Sequence, residues 1–240
     1  MTWSILARDA DGTLGVAIAS RFFAVGALCV HTRRAVGALS TQALMNPLYG
    51  PAGIAMLADG VAAADVVARL TDADAGRAQR QLHVLGAHGR GAAFTGAGCI
   101  DWCGHQVHDD FSVAGNMLAG PDVLDATAAA FVASAGRPLG ERLVAAMAAG
   151  EAAGGDKRGK QAAGLRLHGD EDYPALDLRV DDHAEPIVEL QRPYDKSLER
   201  FQPFVACLAG RNDPAGLLQR DAIEARIEAF AVARRTAAGE

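Results

Sequence analysis

The chain has 240 residues, half of them hydrophobic, with a formal charge of −6. That length suits one large domain or a domain with an appendage, and Val, Ile, Leu and Phe spread along it supply a sizeable core. The acidic balance, with no basic stripe, excludes nucleic acid as a partner. No apolar run reaches ~18 residues, which excludes a membrane span, and four cysteines are too few for a disulfide scaffold.

Trp3 to Arg8 and Leu14 to Ser20 read as strands, joined through Asp9-Ala10-Asp11-Gly12, where Asp-Gly signals a hairpin. Arg8, Asp9 and Asp11 interrupt the opening apolar run, so it is not read as a signal peptide, and a cytoplasmic protein with reduced thiols is expected. Ala27 to Thr32 and Ala35 to Thr41 predict two further strands. Asn46 to Pro51 reads as a loop, Ala52 to Asp59 as a helix, and Val61 to Leu70 as a second helix with Val66, Val67 and Leu70 on one face. Asp72 or Asp74 could cap a short third helix. Gln81 to Leu85 and Ala92 to Gly96 predict another hairpin, and Phe111 to Leu118 a further strand.

Pro121 to Ala135 and Leu139 to Ala153 are Ala-rich helices, separated by Gly136-Arg137-Pro138. Gln161 to Leu167 and Leu176 to Val180 return to strand. Ala184 to Leu190 fits either a strand or a short helix. Beyond Gln191 the composition shifts, so residues 1–191 are read as the main domain and 192–240 as a helical appendage after a linker near Arg192-Pro193. Strands and helices come in segregated blocks, which fits an α+β fold of two antiparallel sheets with helices on their outer faces.

Candidate chemistry begins at Thr2. If Met1 is removed, Thr2 carries a hydroxyl and a free amine on one residue. An α-amine titrates near ~7.7–8, so it is partly neutral without tuning, and it can serve as base to its own hydroxyl. Many chains open Met-Thr without using it, so this residue alone leaves both readings open. Ser4 shares the Thr2 face of the strand. Gly154 to Gln161 nearly spells a phosphate loop, but Gln161 stands in the magnesium-binding position and the helix-to-strand context is reversed. Cys99, Cys103, His105 and His108 are potential zinc ligands whose spacing matches no standard finger; packing of the Trp102 loop is the simpler reading, and no metal is expected. Asp177, Arg179 and Asp181 share a strand face and read as a salt-bridge ladder.

Several stretches together resemble the bacterial family known as domain of unknown function 1028. They are Thr2 to Ile5, Leu14 to Ala17 running on to Ser20 through Gly26, Thr41-Gln42, and Asn46-Pro47 with Tyr49-Gly50-Pro51. Next come Ala93 to Gly96, Cys99 with Trp102 and Gly104-His105, and Gly115 to Leu118 with Gly120-Pro121. The last are Gly154 to Asp156 with Arg158-Gly159 and Gln161, and Asp177 to His183. The resemblance runs from residue 2 to 191 and implies a four-layer αββα sandwich of N-terminal-nucleophile (Ntn) hydrolase type. That fold places its nucleophile at the start of the first strand, here Thr2. Proteasome-like members of the wider superfamily keep a Lys one hairpin on; the comparable stretch here offers Arg33 and Arg34. Arginine stays charged, so it could lower the amine pKa but not shuttle a proton.

The expectation is therefore an Ntn-type amidohydrolase cleaving a C–N amide bond of a small-molecule or peptide substrate, with no cofactor. Thr2 is the nucleophile, Arg33 or Arg34 sets the local potential, and Asn116 helps bind the oxyanion. Ser4, Arg21, Thr41, Gln42, Asp156 and Arg158 form the site wall. The alternatives are a non-catalytic small-molecule-binding protein on the same fold and a zinc-dependent hydrolase at Cys99 and His105. The apolar, Ala-rich helices suggest a homodimer.

Overall fold

The structure, a computed structural model, describes residues 2–238. Six strands form a first antiparallel sheet: β1 (Thr2–Arg8), β2 (Leu14–Ser20), β7 (Gly104–Val107), β8 (Phe111–Asn116), β9 (Ala162–His168) and β10 (Leu176–Val180), in the order β10-β9-β2-β1-β8-β7. A second antiparallel sheet holds β3 (Val30–Arg33), β4 (Gly37–Ala43), β5 (Arg80–Gly86) and β6 (Ala92–Thr95) in chain order. The helices are α1 (Val25–Cys29), α2 (Tyr49–Ala58), α3 (Ala63–Asp72), α4 (Asp122–Ala133), α5 (Leu139–Ala152), α6 (Pro186–Glu199), α7 (Phe201–Val205) and α8 (Arg220–Ala238).

Period-two alternation sorts the side chains of β1. Trp3, Ile5 and Ala7 face α4, α5 and α6, in a core with Val123, Leu124, Leu143, Met147, Ile187 and Leu190. Leu6 faces the second sheet, in a cluster with Val16, Ile18, Ala38 and Leu85. On the far side of the second sheet, Leu39, Leu82 and Val84 pack against Ile54, Leu57, Val66, Val67 and Leu70 of α2 and α3. Gly15 is small because α5 lies on it: a Cβ there would press into the side chains of Leu143 and Leu139.

The β1–β2 hairpin closes as its Asp-Gly signal predicts. Gly12 is left-handed at φ +86°, and Asp9 N–H bonds to Thr13 O at 2.8 Å. The Asn46–Pro51 segment ties the start of α2 to Asp74: the Asn46 amide and the Tyr49 hydroxyl both donate to its Oδ2, at 3.2 and 2.8 Å.

Four expectations are corrected. Ala27 to Thr32 divides into the end of α1 and the start of β3, because Val25 and Cys29 bury on one side of a helical turn. The segment after Asp72 forms a single 3-10 turn, Arg77–Gln79. Gly104–Val107 forms β7 by pairing with β8. The linker near Arg192-Pro193 lies in the middle of α6, which runs from Pro186 to Glu199 with Ile187, Leu190, Tyr194 and Leu198 buried. Among the described residues no helix is long and apolar enough to cross a membrane.

Candidate active site

The layer between the two sheets changes character along its length. At the Arg8 end it is filled by Leu6, Val16, Ala38 and Leu85. At the Thr2 end it holds nine buried polar residues: Thr2, Ser4, Ser20, Ser40, Gln42, Gln81, His83, Ser112 and Asn116. Burying a hydroxyl or amide costs free energy unless it is paired, and these groups pair with one another across the sheets.

The direction of each bond follows from fixed acceptors. The Gln81 amide donates to the carbonyls of Gly104 and Gly115, at 3.0 and 2.8 Å, which can only accept. Its Oε1 therefore accepts from Gln42 Nε2 at 2.8 Å and from Asn116 Nδ2 at 2.9 Å. That turns Gln42 Oε1 toward Ser4, whose hydroxyl donates to it at 2.8 Å. Ser4 has no second proton, so at 2.7 Å it accepts from His83 Nε2. His83 Nδ1 then accepts from the Ser112 hydroxyl at 2.9 Å. The imidazole is neutral, with its proton on Nε2; burial pushes its pKa down to about 3. Ser4 and His83 thus have the spacing of a nucleophile and base but the opposite proton order, in a fully buried setting.

Thr2 stands at the head of β1, in register with Asn116 of β8. Its hydroxyl donates to Ser20 Oγ at 3.1 Å, and its carbonyl accepts a long 3.4 Å bond from Asn116 Nδ2. The strands bordering it end in left-handed residues, Ala43 after Gln42 (φ +68°) and Met117 after Asn116 (φ +54°). A non-glycine residue held there costs roughly 1–2 kcal/mol, and such strain gathers at functional sites. Met1 lies outside the described residues.

Beyond Ser20 the chain meets the loop after α5. Asp156, nearly buried, accepts from the backbone N–H groups of Arg21 and Arg158, both at 2.8 Å, and pairs with the Arg158 guanidinium at 3.3 Å. The Arg21 guanidinium reaches the Arg158 carbonyl. Lys160 bridges Glu151 at 3.0 Å and Glu185 at 2.5 Å; the two carboxylates raise its pKa. A cavity of about 150 Å³ opens here, bounded by Trp3, Ser20, Glu151, Asp156, Lys160 and the turn glycines.

Of the expected site residues, the fold gathers Thr2, Ser4, Gln42 and Asn116 between the sheets, with Arg21, Asp156 and Arg158 beside them. Thr41 faces the other way: it shares the α2–α3 face with Leu39, and its hydroxyl donates to Asn46 O at 3.2 Å. Arg33 and Arg34 are at the opposite end. Arg33 pairs with Gly37, and Arg34 reaches Asp170 O near His168, which lies opposite Leu14. Six strand steps at ~3.3 Å put that end roughly 20 Å from Thr2, so these arginines cannot set its potential. Arg21 follows Ser20, which accepts the Thr2 hydroxyl bond, and Arg158 and Lys160 belong to the adjoining loop.

Ser40, Gln81, His83, Ser112 and Glu151 escaped the sequence reading, and Ser20 and Lys160 entered it only as members of motifs. The available signal was polar residues at alternate positions of apolar strands, as in Gln81-Leu82-His83-Val84. His105 of the Cys99–His108 stretch bonds to Thr95, and the Cys103 thiol donates to Cys99 O. Among the described residues no three His, Cys, Asp or Glu side chains converge as metal ligands. Of the expected ladder, Arg179 pairs with Asp181 at 3.0 Å, whereas Asp177 pairs across the strands with Arg166 of β9 at 2.7 Å. Burial pushes the Cys29 thiol up to about 12, which keeps it protonated and inert. A larger cavity, about 830 Å³, opens at the Arg8 end, but no Ser, Thr or Cys lines it.

The family described as "Family of unknown function (DUF1028)" matches residues 2–190. The crystal structure of protein SPO2555 from Silicibacter pomeroyi, described with the same family, is 31% identical with a TM-score of 0.84, covering 91% of this chain and 96% of that one. Anbu (ancestral beta-subunit) from Yersinia bercovieri is 14% identical with a TM-score of 0.41, over 82% of this chain and 94% of its own, too slight a likeness to argue from. No curated protein matches. With nearly all of its first 190 residues matched and a structural relative of the same family at hand, the chain belongs to DUF1028.

Proposed function

We propose that the protein is an Ntn-type amidohydrolase on a four-layer αββα sandwich, with Thr2 as its N-terminal nucleophile. The observation that carries this reading is the placement of Thr2 at the head of the central strand β1, its hydroxyl on Ser20 in a paired polar layer between the sheets. A chain that fills one end of that layer with Leu and Val keeps hydroxyls and amides at the other at a cost in stability, as functional sites do.

In this reading Met1 is removed and Thr2 Oγ attacks the substrate carbonyl. The Thr2 amine takes the hydroxyl proton, and an acyl-enzyme forms as the amine leaving group departs with that proton. Water then attacks the ester, its proton passing to the same amine, and releases the acid. Asn116 contributes to oxyanion binding by giving up its long bond to the Thr2 carbonyl, the weaker of its two. Gln81 and Gln42 are positioning residues that hold Asn116 and Ser4. An oxyanion donor is worth about 3–4 kcal/mol of transition-state stabilisation.

The test joins intact mass with Thr2→Ala. The expected mass lacks one methionine, and the variant keeps its fold while amide hydrolysis falls at least a hundredfold. Retained methionine, or activity unchanged in the variant, overturns the reading.

A further inference from the structure

Two stretches of the chain, residues 22–30 and 35–58, contain no Asp, Glu, Lys or Arg. The fold sets part of one against part of the other: the turn into α1 with that helix, and the loop that leads from β4 into α2. The Cys29 thiol lies 3.6 Å from Met45 Sδ. The His31 ring covers Gly50, where a Cβ would collide with it, and its Nε2 is 3.1 Å from Leu28 O.

On these two segments Phe22, Phe23, Leu28, Leu44 and Leu48 are 50, 62, 54, 66 and 72% exposed. One exposed leucine needs no explanation, but five large apolar side chains on adjoining segments do. At ~150–200 Å² for a whole side chain they present roughly 500–600 Å² of apolar surface, the upper end of the largest patch on a typical monomer. Pro47, Pro51 and Ala52, neighbours in the chain and also exposed, extend it toward the area of about 800 Å² that one partner gives to a standard interface. A strained turn holds part of this surface out: Ala24 is left-handed at φ +52°, with Val25 and Cys29 buried and Phe22, Phe23 and Leu28 outside.

The missing charge selects the occupant. Interface cores are depleted of charged residues and enriched in aromatics, whereas a lipid surface calls for Lys and Arg, and this chain carries a net −6. Uncharged apolar segments are complementary to others like them, and two-fold pairing sets such a surface against itself. We propose that this face is the interface of a homodimer, in which a second copy of the chain covers Phe22, Phe23, Leu28, Leu44 and Leu48. Phe22 lies two positions beyond Ser20 and Leu44 two beyond Gln42, so the interface adjoins the polar layer between the sheets. It does not depend on Thr2 as nucleophile.

Light scattering on the full chain at micromolar concentration is expected to give twice the 24.9 kDa of one copy. Phe23→Arg and, separately, Leu48→Arg should each weaken the dimer at least a hundredfold while circular dichroism stays unchanged, since both side chains already face solvent. Val132→Arg, at an exposed apolar position of α4, should leave the dimer intact. A monomer at every concentration overturns the proposal. Flotation of that monomer with phosphatidylcholine–phosphatidylserine vesicles would assign the patch to a lipid surface, and failure to float would assign it to a different protein. A dimer indifferent to both arginines, or one broken by Val132→Arg, overturns it equally. Where both arginine variants unfold, radical footprinting of the wild type across a dilution series decides: Phe22 and Phe23 should become shielded on concentration, and unchanged labelling rejects the interface.

Discussion

His83 shows how much one buried side chain decides. It joins the strand that carries the candidate nucleophile to β8 through Ser4 and Ser112, and it is held neutral with a pKa near 3. Below pH 6.5 the unfolded chain takes up a proton at this site that the folded chain refuses until about pH 3. Stability contributed by the neutral ring is therefore fully present above pH 6.5 and is lost as pH falls through that window, by up to ~1.4 kcal/mol per pH unit. His31, His105 and His168 are shifted the same way by burial, so the wild type keeps part of the slope without His83. The expected outcome for His83→Gln is a loss of about 1–3 kcal/mol at pH 7, from the broken serine contacts. Its loss of stability between pH 6.5 and 4 should be shallower by nearly one proton. Urea melts at several pH values read both quantities, and parallel slopes would show that His83 is not buried neutral. The alternation in Gln81-Leu82-His83 marks a polar face but not what meets it, because the partners lie 79 and 29 positions away.

At the scale of elements, periodicity was a good guide wherever one face of a segment meets a core. The β1–β2 hairpin, α2, α3, the β5–β6 hairpin, α4, α5, β9 and β10 lie close to where alternation and helical spacing put them. The misses have local causes. β7 has only four residues and no apolar alternation; its strand character comes from pairing with β8. In α6, Pro193 reads as a break, yet the helix continues because Tyr194 and Leu198 bury beyond it. The α5–β2 contact gives a test of element packing. Leu143 is fully buried over Gly15, so Leu143→Ala should cost about 2–5 kcal/mol. Thermal melts should register about 2–4 °C for each kcal/mol. A shift of under 1 °C would mean that α5 does not sit on β2.

For the whole molecule, the question is how residues beyond the main sheets attach. α8 buries Ile227 and lays Phe230 against the large core, and Arg200 pairs with Glu224 at 2.5 Å. The exposed ion pair adds little; burial of the isoleucine contributes about 1.5–3 kcal/mol. A chain ending before Arg220 should therefore remain folded, melt several degrees lower and match the full chain in the Thr2→Ala hydrolysis test. Insolubility of that chain, or an unchanged melting temperature, would show that α8 has a different share in the fold.

Local events were legible in the residues alone: the Asp-Gly hairpin, the helices with one apolar face, the segregation of strands and helices, and the run of motifs that marks the family. These depend on neighbours a few positions apart, where backbone preference and period are set. Tertiary structure alone decided which polar residues meet. It turned Thr41 toward the helices and carried Arg33 and Arg34 to the far end of the sheets. It brought Gln81, His83, Ser112 and Asn116 against Thr2 and Ser4, and it left one oxygen of Glu151 without a partner. The reason is physical: hydrogen bonds and charge act over a few ångströms, and only the stacking of two sheets brings residues dozens of positions apart within that distance.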